Sequence, residues 1–522
     1  MLDEGPTNLA PLKRLHRCLD NRVTNPTTQP VQHIAAQISH PPLWQPVLFA
    51  GLAGGMGWGI RGQYGHETGA MIAGLLVSLA LVFILCPPAA LLPAARAMAF
   101  GTIAMGFGGT MTYGQTIGLT QIAPLIGNWE ALRWGMLGLA IKGAIWIGFA
   151  GLFLGMGLGG VRYRSREILG LMLGMIALGA AGTWLLNSPF DPAHKLLPRI
   201  YFSADWRWQP DADVAQLKPR REHWGGLLLA LFGAWIWAGW IRRDRLARNL
   251  ALWGALGGLG FPIGQSLQAF HAWNPELFKS GIWMQLDPVM NWWNWMETTF
   301  GAVMGACLGL GLWLNRRRIG PLDTIGVTPL PSFIEWLLLG VHVALLVMAE
   351  FTSVGWANAL YDPGLILALI PMVAVAGGRW WPFMLALPVT LIPIAGKTIL
   401  NLVYEVHAIP AVPGWLLYGV LPLAATTVSA VWFARRLDGS LSGREFARRA
   451  LLLSVWVYLC LNYAFFRFPW AWAQWTSRTP NAIVFTLCAL GLTFACLRLG
   501  RRRCGDGQAE AILARNETSD ER

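Results

Sequence analysis

The chain reads as an all-α polytopic membrane protein of about 14 transmembrane helices, and three observations predict it. Of its 522 residues, 55% are hydrophobic and 13% charged, where a soluble chain carries roughly 25% charged residues. Apolar runs near the roughly 20 residues that cross a bilayer recur along most of the length, and the mean hydropathy is +0.45. The basic residues gather in short clusters between those runs, where they act as topology signals. A soluble enzyme is thereby excluded. The net charge of +13 points to no nucleic-acid partner, because its arginines are spent on these clusters.

In chain order, spans are expected near 43–60, 69–86, 97–118, 134–158, 168–187, 223–241 and 249–267. They continue near 289–314, 333–350, 357–376, 380–398, 411–434, 450–467 and 480–498. With the N-terminus cytoplasmic, the clusters at 162–166, 242–248, 316–318, 435–449 and 501–503 all face the cytoplasm, so both termini are expected there. Residues 1–42 lack the apolar core of a cleavable signal peptide and are expected to remain as a cytoplasmic arm. A first membrane repeat spans 43–248 and carries an extracytoplasmic loop at 188–222. A second repeat spans 249–440, two helices are appended over 441–500, and a cytoplasmic tail covers 501–522. The expected location is the plasma (inner) membrane, with the lipid bilayer as a partner. The seven cysteines show no CxxC spacing and predict neither disulfides nor a cysteine metal site.

The repeat rests on one match. Residues 51–63, GLAGGMGWGIRGQ, align with 254–265, GALGGLGFPIGQ, so that Gly54, Gly55, Gly57, Gly62 and Gln63 meet Gly257, Gly258, Gly260, Gly264 and Gln265. Downstream, Glu67 and Thr68 are echoed by Glu297 and Thr298, and a fainter echo places Gly114 and Gln115 after Gly108 and Gly109. Both strong copies enter from the cytoplasm and turn at the outer face, which implies a parallel internal repeat of about six helices.

Chemistry concentrates in RGQYGHETG, 61–69, where glycines surround Arg61, Gln63, His66 and Glu67. Such a bend can aim backbone N–H groups and a guanidinium at an anionic or carbonyl ligand. Glu297 falls several residues inside an apolar segment, where an acid needs a partner or a function; Arg61 and Lys142 are the candidate partners. The expected substrate-binding set is Arg61, Gln63, His66, Glu67, Gln115, Gln265, Trp293 and Glu297, with Glu67 and Glu297 as proton-coupling candidates. No metal site and no cofactor are expected, since the histidines are scattered and no HxxxH spacing occurs. Gly151, Gly155 and Gly159 form a small-residue ladder for helix packing. The segment NWWNWMETTF resembles the tryptophan-rich stretches of haem-handling membrane proteins but lacks their aspartate, so no haem ligand is carried over.

Three functions fit these residues. The first is a secondary transporter of a small polar or anionic substrate, with a coupling ion as a further expected partner, its site lying between the two glycine-rich hairpins near the extracytoplasmic face. No GxxxxGK[ST] motif is present, so an ion or substrate gradient would drive it. The second is a transferase acting there on a lipid or lipid-linked substrate, with Glu67 or His66 as base and Asp191, His194, Asp205 and Arg221 nearby. The third is a structural subunit of a membrane complex, with the tryptophans as interface.

Overall fold

The computed structural model describes residues 41–520 except 63, 66, 87–89, 214–216, 321–329, 438–439 and 468–474, and from 500 onward the backbone alone. Among the described residues the regular structure is helical, with 78% helix and no strand. In chain order the helices are α1 (Trp44–Arg61), α2 (Glu67–Leu85), α3 (Leu91–Gly108), α4 (Gly114–Gln121), α5 (Trp129–Leu158), α6 (Ser165–Leu186), α7 (Trp224–Ile241), α8 (Arg245–Gly257) and α9 (Gly260–Trp273). They continue with α10 (Trp292–Leu314), α11 (Ser332–Phe351), α12 (Gly355–Tyr361), α13 (Leu365–Gly377), α14 (Trp381–Glu405), α15 (Ala411–Arg435), α16 (Gly443–Phe465) and α17 (Thr479–Asp520). Short polar side chains start several of them. Asn128 accepts from Ala131 N at 3.0 Å, Asp244 from Ala247 N at 2.8 Å, and Asn291 from Asn294 N at 3.0 Å, capping α5, α8 and α10.

Among the described residues, ten helices are long and apolar enough to cross a membrane: α2, α3, α5, α6, α7, α10, α11, α14, α15 and the Thr479–Leu499 part of α17. The pair α12 and α13 makes an eleventh if counted as one span bent by 61°. Gly364 sits at that bend with φ +79°, a left-handed conformation that glycine adopts without Cβ strain.

Three expected spans form helices that fall short of this test. The first, 43–60, becomes α1, whose glycines add little hydropathy. The second, 249–267, is divided between α8 and α9 at Gly258 and Leu259. The third, 450–467, belongs to α16, whose first turns carry Arg444, Glu445, Arg448 and Arg449. The span expected at 97–118 also differs, because α3 stops at Gly108 and α4 begins anew at Gly114.

Glycine seams hold the core. α1 and α10 run antiparallel: a Cβ on Gly54 would lie 2.1 Å from Gly301 O, one on Gly305 1.9 Å from Ala50 O, and one on Gly309 2.4 Å from Pro46 O. α5 and α8 repeat the arrangement, with Gly151 on Leu250, Gly155 on Ala247 and Gly258 on Gly143. The Gly151, Gly155, Gly159 ladder thus packs one helix on another, since only glycine allows backbones this close.

The basic clusters meet at one end of the molecule. Arg242 donates to Arg162 O at 2.7 Å and Asn249 to Asn315 at 2.8 Å, while Gly320 N donates to Leu158 O at 3.0 Å. Arg379 reaches Ala434 O at 3.4 Å, and Gly377 lies against Ser165. The clusters at 162–166, 242–248, 316–318 and 435–449 are therefore neighbours.

Candidate functional site

Arg61 ends α1, where its charge suits the helix dipole, and Glu297 stands in the second turn of α10. The glycine seam brings these ends together, and Arg61 Nη2 lies 2.9 Å from Glu297 Oε1, with side chains only 2% and 1% exposed. Trp293 Nε1 donates to the same carboxylate at 2.9 Å and Asn294 Nδ2 at 3.2 Å, one turn back on α10. Arg61 also donates to the Tyr113 hydroxyl and, at 3.3 Å, to Gly65 O. Its guanidinium stands 4.8 Å from the Trp58 ring and 5.9 Å from the Trp146 ring. Two full charges are thus removed from water but satisfied by each other and by polar neighbours, the condition under which a buried pair persists.

Gly62 explains its own identity here, since a Cβ on it would lie 2.5 Å from Glu297 Oε2. Its repeat partner Gly264 lies against Met296 O at 2.3 Å by the same measure, so both glycines abut one turn of α10.

A second charged cluster lies beside Tyr64 and Gly65. Lys397 Nζ, on α14, is 2.5 Å from Glu350 Oε2 at the end of α11, and donates to Tyr64 O at 3.0 Å. Tyr361 donates its hydroxyl to Glu350. Glu67 belongs to this cluster, where its charged neighbours are Glu350, Lys397 and Asp362. The two proton-coupling candidates therefore sit in adjoining clusters, Glu297 with Arg61 and Glu67 with Lys397.

Other expected residues go elsewhere. Lys142, a candidate partner of Glu297, instead binds Glu222 at 2.6 Å, Thr116 Oγ1 at 2.7 Å and Thr112 O at 2.8 Å. Glu222 also accepts from Ser203 and from Phe202 N, so this pair fastens the 188–222 loop to α5. Gln115 clamps the same loop through Lys218 O at 2.6 Å and Arg220 N at 3.0 Å. Gln265 is fully buried and donates to Thr120 Oγ1 at 2.8 Å. Gln63 and His66 lie outside the described residues. Among the described residues, no three His, Cys, Asp or Glu side chains are placed to hold a metal.

The site gains three residues that the sequence reading passed over: Lys397, Glu350 and Arg478. The signal for the first two was available, since each is a charge inside or closing an apolar run. Arg478 gave none, because it precedes its span and reaches Asn294 Oδ1 only through tertiary packing. On α17, Phe485 fills the space beside Gly59 of α1, and Asn481 lies one turn before it on the same helix. Both polar ends of the Asn481 amide, and Trp58 Nε1 beside Arg61, are buried with no protein hydrogen-bond partner. Buried polar groups without protein partners call for water or a ligand.

No family model, no curated protein and no solved structure matches the chain.

Proposed function

We propose that the protein is a secondary transporter of a small polar or anionic substrate, bound at the corner where α1, α10, α14 and α17 meet. The observation that carries this is the buried Arg61–Glu297 pair, flanked by the unpartnered Trp58 indole N–H and by the Lys397–Glu350–Glu67 cluster. Charges that deep are rare in membrane segments and mark substrate or ion paths.

The chemistry follows from charge balance. With Glu297 ionised, its carboxylate neutralises Arg61. When Glu297 takes a proton, the guanidinium loses its counter-charge and can take an anion in its place, and the site's total charge is unchanged. Uptake of one proton with one monovalent anion therefore costs no net buried charge. Glu67, beside Lys397 and Glu350, is the group proposed to relay that proton.

The topology proposed with it has fourteen spans: the eleven apolar ones plus α1, α8 with α9, and α16, whose burial among other helices replaces hydropathy. The end carrying the basic clusters faces the cytoplasm of a plasma (inner) membrane, with both termini there. The parallel repeat belongs to the same proposal and is supported by Gly57 packing on Ala73 and Gly260 on Val303, each six residues after Glu67 or Glu297. A transferase finds less support, because Asp205 is held by Arg207 at 2.7 Å and Asp191 by His194 at 2.6 Å, neither reaching the Arg61 corner.

The test is lumenal acidification in proteoliposomes loaded with a pH dye. Small carboxylates and inorganic phosphate are added outside in turn. Acidification by one of them that Glu297→Gln abolishes supports the proposal, and acidification that Glu297→Gln leaves intact overturns it.

A further inference from the structure

A second site stands apart from the Arg61 corner, in the groove between α6 and α7. It encloses about 580 Å³, within the roughly 300–1,000 Å³ of ligand clefts. Gly170, Gly174 and Leu178 line one wall and Gly233 and Trp237 the other, and the groove ends at Glu167 and Arg242. A Cβ on Gly170 or Gly174 would meet nothing within 4 Å, so these glycines open a furrow and do not seat a helix. From Gly170 to Leu178 the furrow runs about 12 Å along the helix. Both walls belong to helices apolar enough to span a membrane, and Leu169, Leu173 and Ile176 of α6 are exposed. Hydrocarbon is the medium that would wet such a surface.

The closed end is polar and built. Arg242 Nη1 lies 3.1 Å from Glu167 Oε1 and its Nη2 donates to Arg162 O at 2.7 Å, while Nε is buried without a partner. The guanidinium stands 5.6 Å from the Tyr163 ring and 5.9 Å from the Trp237 ring. Arg243 and Arg245 follow Arg242 in sequence, and Arg162, Arg164 and Arg166 precede Glu167. The acids on this end are Glu167, paired to Arg242, and Asp244, which accepts from Tyr163 at 2.9 Å and Ala247 N at 2.8 Å. Positive charge is thus in excess where a chain lying in the furrow would place its head group.

We propose that this groove binds an anionic glycerophospholipid, one acyl chain along Gly170 and Gly174 and the phosphate against Arg242. The charge at the mouth selects the anionic class. A choline head would place a second cation among arginines, and the aromatic faces that could cage it are already covered by Arg242.

Thermal unfolding of the full chain in detergent tests this, with phosphatidylglycerol, phosphatidylcholine, glycerol 3-phosphate or inorganic phosphate added. Phosphatidylglycerol is expected to raise the melting temperature and the other three to leave it unchanged. Gly174→Leu, which fills open space and leaves the fold untouched, should abolish the rise, and Arg242→Gln should reduce it. An equal rise with phosphatidylcholine removes the charge selection and overturns the proposal. A rise with either chain-free phosphate, or one that survives Gly174→Leu, overturns the acyl-chain site. A change from dimer to monomer in Gly174→Leu without any lipid response assigns the groove to a second copy of the chain and also overturns it.

Discussion

Arg61 is asked to serve structure and chemistry at once, and substitutions separate the two. Removing it leaves Glu297 charged and buried with only the Trp293 and Asn294 donors. Arg61→Ala should cost about 3–5 kcal/mol, the usual consequence of stranding a buried charge. Arg61→Ala with Glu297→Gln should recover most of that stability in thermal unfolding, since no lone charge remains. Arg61→Lys should keep the fold but lose anion uptake, because an ammonium has one nitrogen and cannot hold Gly65 O as Nη1 does while meeting Glu297 and Tyr113 as Nη2 does. Glu67→Gln makes the contrasting case. Its neighbours Glu350 and Lys397 remain paired at 2.5 Å, so folding should be unchanged while proton-coupled uptake falls at least tenfold. Full uptake in Glu67→Gln would remove it from the proposed relay.

The helices are defined as much by where glycine allows contact as by hydropathy. α1 scores as too polar for a span, yet residues 53–61 are all buried, because α10 and α2 cover the seam. At this seam Gly54→Ala would drive a Cβ into Gly301 O, and the only relief is separation of α1 from α10. A loss of about 1–3 kcal/mol is expected, the usual cost of overpacking. Gly174→Ala on α6 meets open space and should be neutral or slightly stabilising through helix propensity. Paired melting curves of the two variants check this, and equal losses would show that the α1–α10 seam is not tight in the folded protein. The break at Gly258 and Leu259 has the same origin, since Gly258 is pressed on the backbone of Gly143 where α8 gives way to α9.

For the whole molecule, the gathering of four basic clusters at one end leads to an orientation that reporters can read. A fusion after residue 504 is expected in the cytoplasm and an insertion near residue 210 outside; both on one side would overturn the proposed span count. That the chain is helical and crosses a membrane many times was legible in composition and run length, because a bilayer imposes a fixed length of apolar residues and forbids unpaired backbone. That Arg61 and Glu297 need partners was legible too, as charges next to or inside apolar runs. Which charge answers which was not. Lys142 and Arg61 were equal candidates for Glu297, and only packing gave Lys142 to Glu222 and Arg61 to Glu297. The two residues of that pair are 236 positions apart, and hydropathy patterns carry information only over neighbouring turns. Likewise the glycines of α1 announced close contact without naming the surface contacted. Sequence alone therefore determined the helical membrane class and marked some of the residues under electrostatic stress. Tertiary structure decided their partners, because pairing depends on which helix faces meet once glycine has let the backbones approach.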